Sequence, residues 1–333
     1  MISCLRSAGV AVAEEHVSVW EGGKDAWRAG PAIALRLAVA EARLLTRRVH
    51  DSDALIVGYP GHFDLGAAKR AGGGRPIVFN PLVSLADTLV SDRRRFRAGS
   101  VAARALEHVD RAAFAAADVV VVDTEAQSRF LAHLTDTPIE ICLVGAEDRL
   151  FTPGWQPIEP FTALFVGKLI PLQGVDTILE AARRIPDVRF RVVGSGQLGP
   201  LLATRPETVE HVPWLDYEAL PGELHRAGCA LGIFGTSDKA HRVIPNKAYQ
   251  ALACGTPLIT GDTAAAGELL VDGESALLVP PGDPAALAEA VQRLAQDAEL
   301  ARKIGAQGRA VYERQASESV LGPRWRTIIE RLL

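Results

Sequence analysis

Short apolar runs alternate with longer amphipathic stretches from one end of the chain to the other, and no other feature limits its possible folds so tightly. Runs of four to six apolar residues are too short for helices, while the stretches between them repeat with helical period. Together they specify βα units, whose strands pair in parallel and whose helices cover the sheet. In the first half, strands are expected near Val10–Trp20, Ala54–Gly58, Pro76–Phe79, Asp118–Val122 and Ile139–Val144, with helices over Ala26–Val49 and Val101–Ala117. In the second half, strands are expected at Ala163–Val166, Arg189–Val193, Val209–Val212, Ala230–Phe234, Pro257–Thr260 and Ala276–Val279. Three helices, Pro284–Gln296, Glu299–Glu313 and Ser317–Leu332, close the chain, and Pro323 calls for a kink or a later start in the last.

The alternation breaks once, at the Pro/Gly-rich segment Phe151–Pro160, which reads as a linker. A length of 333 residues suits two cores better than one. The expected division is an N-terminal domain over 1–150, a C-terminal domain over 160–315 and a final helix over 316–333. The chain opens on the end of a helix, Ile2 to Ser7 closed by Gly9, where a doubly wound domain would open on a strand. Either this is a short N-terminal helix or the first strand is missing.

A net charge of −4 gives no argument for nucleic acid. Cys4, Cys142, Cys229 and Cys254 form neither a CxxC pair nor a metal cluster, and fit reduced thiols of a cytoplasmic protein. Pro31 to Leu45, the most apolar early segment, is interrupted by Arg36, Glu41 and Arg43 and cannot span a bilayer; no signal peptide is visible.

Three segments of the second half fall where strands end and helices begin, the position at which open α/β sheets bind ligands. In Leu164–Ala181, Gly167 permits close backbone approach, Lys168 adds charge, and Gln173-Gly174 open a helix whose free N–H groups favour an anion; a bare tight turn would look the same. Arg191-Val-Val-Gly-Ser-Gly-Gln-Leu-Gly199 satisfies G-x-G-x-x-G after a strand. A dinucleotide fingerprint is rejected, because the unit is second in its domain, Pro200 follows the third glycine, and no acidic residue ends the next strand. Gly235–Thr260 carries a polar loop into a helix starting near Pro245, with Lys247 in the first turn, where the helix dipole disfavours a cation unless a phosphate sits there. Of six lysines in the chain, Lys168, Lys239 and Lys247 lie in these segments.

With these motifs in hand, Phe161 to about Leu333 resembles the C-terminal domain of retaining glycosyltransferases of family 4, the glycosyl transferases group 1. The likeness rests on the strand-Gly-Lys turn, Gly194-Ser-Gly196, Gln250-Ala-Leu-Ala-Cys-Gly-Thr-Pro-Leu-Ile259 and Ala265–Pro284. The resemblance implies a GT-B fold: two Rossmann-like doubly wound domains facing a cleft, with the C-terminal helix packing back toward the N-terminal domain. It implies a metal-independent, hexosyltransferase-like enzyme of class EC 2.4 that moves a sugar from a nucleoside-diphosphate sugar to a hydroxyl with retention. Beyond that donor no cofactor is implied. The acceptor is a small molecule, a glycan or a lipid-linked molecule.

Carried over by position, Lys168 and Lys247 face the diphosphate, Gln250 the ribose, Gly167 and the Gly194–Gly196 turn the nucleotide, and Glu268 the sugar or nucleotide. The resemblance also implies two glutamates, where this chain has Arg242 and Gln250, and a basic residue where it has Gln173. A unit charge about 4 Å from a phosphate is worth roughly 4 kcal/mol gross at an effective dielectric of 20. Lys239, Arg242 and Lys247 are the candidates to replace that charge. In the first half, His62 is a candidate contact for acceptor or transferred sugar and, with Lys168 and Lys247, for catalysis; Ser84 and Asp87 are further acceptor candidates. Asp51-Ser-Asp53 resembles a metal-binding DxD but reads better as a loop cap, so no metal site is expected.

Relatives begin with a strand and glycine loop, so on the order of 20 residues are expected to be missing at the start. Arg93-Arg-Arg-Phe-Arg97 reads as a solvated helix face or as a peripheral contact with the inner face of a membrane. Two other functions stay open: a non-catalytic nucleotide-sugar-binding protein, which the Arg242 and Gln250 replacements favour, and a sugar-nucleotide epimerase on the same architecture.

Overall fold

A computed structural model describes residues 1–17, 19, 31–47, 49 and 51–333. The chain divides into two compact units, one of Met1–Cys142 with Gly322–Leu333 and one of Leu143–Leu321.

The first unit runs α1 (Ile2–Ser7), α2 (Pro31–Leu45), β1 (Leu55–Val57), α3 (Leu65–Gly72), β2 (Ile77–Phe79), a π-helical turn (Asp87–Asp92), α4 (Val101–Ala115), β3 (Val119–Val122), α5 (Glu125–Leu131) and β4 (Ile139–Ile141). Its sheet has the order β1-β2-β3-β4, all parallel. β2 and β3 are apolar and buried along their whole length, as strands covered on both faces must be. Their core is Val57, Phe79, Phe114, Val120, Val122 and Leu131. Ser100 and Thr124 start α4 and α5 by accepting from Ala103 N and Gln127 N, so that helix-start amides find partners.

The second unit runs β5 (Thr162–Val166), α6 (Val175–Arg184), β6 (Arg189–Val193), β7 (Val209–Val212), α7 (Leu220–Arg226), β8 (Cys229–Leu231), α8 (Asn246–Cys254), β9 (Leu258–Gly261), α9 (Ala264–Gly267), β10 (Leu277–Val279), α10 (Pro284–Gln296) and α11 (Ala298–Gln315). α12 (Glu318–Glu330) then carries the chain into the first unit. All six strands are parallel, in the order β10-β9-β8-β5-β6-β7. The chain leaves β5 toward β6 and β7 on one side and returns to β8 on the other, so the strand order reverses between β5 and β8. α6 places Val175, Ile178, Leu179 and Ala182 on one stripe, and this packs with Phe165, Phe190 and Val192 of the sheet and Leu287 and Val291 of α10. Each fully buried aliphatic or Phe side chain there contributes about 1.5–3 kcal/mol.

Several expectations are corrected. Val10–Val17 is neither strand nor helix, and Ser18 and Trp20, the rest of that expected strand, lie outside the described residues, except that Val19 is a bend. The helix expected over Ala26–Val49 is Pro31–Leu45, its earlier residues lying outside the described ones. Phe151–Pro160 is not a free linker. Phe151 is buried, Gln156 N and Ile158 N donate to His225 O and Arg226 O at the end of α7, and Trp155 Nε1 donates to Ala227 O at 2.7 Å. Arg93–Arg97 is not a helix face: it follows the π-helical turn as irregular chain, with Arg94, Arg95 and Arg97 exposed. α12 starts at Glu318 and continues past Pro323 to Glu330. Asp51 and Asp53 are exposed in the loop entering β1.

Candidate functional site

The glycines after β5, β6 and β8 exist to let three loops touch at the C-terminal ends of these strands. Gly167 N donates to Val193 O at 2.9 Å and Leu169 N to Ser195 O at 3.1 Å, which lays the β5 loop along the β6 loop. A Cβ on Gly194 would collide with Gly167 O, and one on Gly196 would come within 2.6 Å of Leu169 O. On the other side, Phe234 N and Gly235 N donate to Gln173 O and Leu172 O at 3.1 and 3.2 Å. Gly174 has φ +68°, and a Cβ there would lie 2.5 Å from Phe234 C. The expected helix start at Gln173-Gly174 is thus a 3-10 turn, Pro171–Gln173, followed by α6.

Into this junction, at the reversal of strand order, α8 sends Lys247. Pro245 is the N-cap of α8 rather than its first residue, so Asn246 and Lys247 are its first two helical positions. The Lys247 amine donates to Gln173 Oε1 at 2.5 Å and to Gly232 O at 3.2 Å, and lies 3.5 Å from the centre of the Phe165 ring. The position a Cβ would take on Gly167 is 3.1 Å from it. Burial pushes the Lys247 pKa well below the ordinary lysine value. One turn along α8, buried Gln250 joins Lys247, Leu164, Val166, Leu220 and Leu224 around a narrow recess, with the Tyr217 phenol beside its side chain.

Gly167, Gln173, Gly194, Gly196, Lys247 and Gln250 are therefore brought together. Lys168 follows Gly167 with its side chain exposed. Lys239 is buried at the start of the Ala240–Arg242 turn, against which α9 packs. Glu268 is half-buried at the C-terminus of α9, whose first turn Thr263 caps. Arg242 is half-buried, and both Arg242 and Glu268 hold partners within the protein.

The first-half candidates form a separate, inward-facing network. His62 Nδ1–H donates to Pro60 O at 2.6 Å, its Nε2 is 3.3 Å from Asp110 Oδ1, and its ring meets Phe79 and Phe114 edge-on. Ser84 Oγ donates to Asp110 Oδ2 at 2.6 Å, and Asp87 N donates to Ser84 Oγ at 3.0 Å. His62, Ser84 and Asp87 are all buried, with the His62 side chain fully enclosed. Burial pushes the His62 pKa down, against the upward pull of Pro60 O and Asp110. As folded, this histidine braces the loops after β1 and β2 instead of presenting a nitrogen to a ligand.

Sequence reasoning missed Phe165, Tyr217, Gly232 and Asp110. Phe165 and Gly232 sit in apolar strand-end runs with no local mark, while Asp110 is an acidic residue in the middle of an amphipathic helix, indistinguishable from a solvated one. A broad groove of the second unit lies at the other end of the strands, around Thr162, Asp187, Arg189 and Thr208, where Arg191 is held by Glu210 and Glu223. Of the residues around the Lys247 recess, it shares Leu164.

Residues 160–297 match the family described as glycosyl transferases group 1. The D-inositol 3-phosphate glycosyltransferase of Acidothermus cellulolyticus is 30% identical over 251 residues, 65% of this chain and 55% of that protein. The phosphatidyl-myo-inositol mannosyltransferase of Mycobacterium leprae is 30% identical over 163 residues, 46% of this chain and 42% of that protein. The chain thus spans about half the length of these curated relatives. Among solved structures, the sucrose-phosphate synthase of Thermosynechococcus elongatus superposes with a TM-score of 0.72 at 18% identity, covering 93% of this chain and 78% of that one. Anabaena Alr3699/HepE in complex with UDP-glucose superposes with a TM-score of 0.68 at 15% identity, covering 91% and 84%. The fold is that of GT-B glycosyltransferases, and residues 160–297 are similar to the glycosyl transferases group 1 family.

Proposed function

We propose that this chain transfers a glycosyl group from a nucleoside-diphosphate sugar to an acceptor hydroxyl with retention of configuration. The observation that carries the reading is the Lys247 amine, set at the reversal of strand order among three glycine-lined loops. A diphosphate placed there meets a lysine, the first amides of α8 and backbone that no side chain shields. Catalysis is then chiefly stabilisation of the leaving diphosphate by fixed charge and dipoles. Leaving-group oxygen takes the acceptor proton on the same face, and neither a protein nucleophile nor a metal is required.

The acceptor is a small molecule, glycan or lipid-linked hydroxyl. Arg94, Arg95 and Arg97, exposed after the π-helical turn, are the residues that would meet an anionic membrane. Four buried free cysteines suit work in the reducing cytoplasm.

Lys247→Ala removes a charge-assisted contact worth about 1.5–3 kcal/mol, so affinity for the donor nucleotide is expected to fall roughly 10- to 100-fold in calorimetric titration with UDP, GDP and ADP. An unchanged affinity overturns the reading. A second reading, a binding protein without turnover, draws on Arg242 and Gln250 at positions where the resemblance implies glutamates. Binding of a sugar nucleotide without hydrolysis or transfer to any acceptor would favour it.

A further inference from the structure

The surroundings of Lys247 are short of negative charge. Its two acceptors, Gln173 Oε1 and Gly232 O, are neutral, and beneath it lies the face of Phe165. Among the described residues, no carboxylate bonds or pairs with it. After β5, Lys168 is exposed. On α7, Glu223 is committed to Arg191. After β8, Gly232-Ile-Phe carries no titratable group. In the segment entering α8, Asp238, Lys239, His241 and Arg242 make no bond to the amine, and the next turn of α8 presents Gln250. An ammonium ion held in this way, on a half-buried residue, gains an aromatic face and two carbonyl dipoles but loses part of its hydration. Burial is what lowers its pKa.

We propose that Gln173 and Lys247 form a latch across the donor site, which opens as a nucleoside diphosphate binds while the Lys247 amine takes up a proton from solvent. This rests on the donor-site reading above. The step is R–NH2 + H⁺ → R–NH3⁺: the proton comes from the buffer, the phosphate anion replaces Gln173 Oε1 as acceptor, and no other bond changes. Gln173 is a positioning residue that acts through Lys247, holding the amine over Phe165 until the anion arrives. Donor binding is then coupled to pH in a way that a permanently charged arginine at the same place would not be.

The test is calorimetric titration with UDP, GDP and ADP between about pH 7 and pH 9, in buffers of different ionisation enthalpy, so that the dependence of heat on buffer counts protons bound. Lys247→Arg supplies the reference, since a guanidinium stays charged throughout and leaves only the ligand's own protonation. The wild-type protein should take up more protons than Lys247→Arg, by an excess approaching a full proton toward the alkaline end. In Gln173→Glu, a carboxylate beside the amine keeps it charged, so the excess should vanish while affinity falls. In Gln173→Leu, the excess should persist with altered affinity. Equal proton counts in wild type and Lys247→Arg overturn the proposal. If Lys247→Arg does not fold, a proton uptake in Gln173→Glu equal to that of the wild type overturns it instead. Failure of the wild type to bind any of the three nucleotides sinks the donor-site reading itself; binding without excess uptake sinks only the latch.

Discussion

Asp110 accepts from Ser84 Oγ, Leu85 N and Ala86 N and faces His62, so one carboxylate of α4 fixes both loops that leave β1 and β2. Residue types alone mark His62, Ser84 and Asp87 as ligand-facing, because exposed and buried polar residues are spelled alike. The placement of Asp110 turns His62 and Ser84 inward. A second carboxyl in the first unit behaves differently. Glu41 of α2 lies against Asp64 at the start of α3, and burial first, then the hydrogen bond and charge of Asp64, push its pKa up to about 8 from 4.5. A raised carboxyl pKa means the folded state holds the proton more tightly. Its contribution to stability is complete below about pH 4.5 and is lost as the pH climbs through about 8. Glu41→Gln, which cannot ionise, should therefore gain stability relative to wild type as pH rises from 5 to 9, read as the difference in denaturation midpoint. A difference that does not change with pH would show that the Glu41–Asp64 pair is not formed.

At the scale of elements, local sequence placed nearly every strand and helix of the second unit, since Asp283 and Asp297 cap α10 and α11 and Gly255 ends α8 by signals that need no tertiary context. The same local reading failed at Phe151–Pro160. Proline and glycine stop regular structure wherever they occur, but they do not say whether the chain then floats or docks. Here Trp155 Nε1 reaches Ala227 O, His225 Nε2 meets Thr152 O, and Gly154 lies against the His225 ring. A docked segment of this kind should resist limited proteolysis under native conditions, with cleavage between 151 and 160 appearing only as the second unit unfolds. Early cutting there, before loss of the second unit's circular-dichroism signal, would contradict the contacts. Arg93–Arg97 failed for a related reason: a run of arginines fits a helix face by composition, yet the π-helical turn before it ends the helix at Asp92.

For the molecule as a whole, a ligand that binds only the folded second unit must raise its stability by mass action, by about 2.7 kcal/mol at a hundred times the dissociation constant. Saturating UDP, GDP or ADP, whichever binds, should raise the melting temperature of the second unit and protect the amides of 167–174, 194–198 and 232–235 from exchange, and EDTA should leave both the shift and sugar transfer unchanged. Loss of the shift in EDTA would replace the lysine with a metal as the main counter-charge. The sequence by itself determined the βα alternation, the two cores and the glycine positions, because period, breakers and caps act over a few residues. It also supplied a lysine at the start of α8. Tertiary structure alone decided that Lys247 meets Gln173, Gly232 and Phe165, and that His62 is enclosed. Those contacts join residues far apart in the chain through strand order, and strand order is set by how whole elements bury one another's apolar faces.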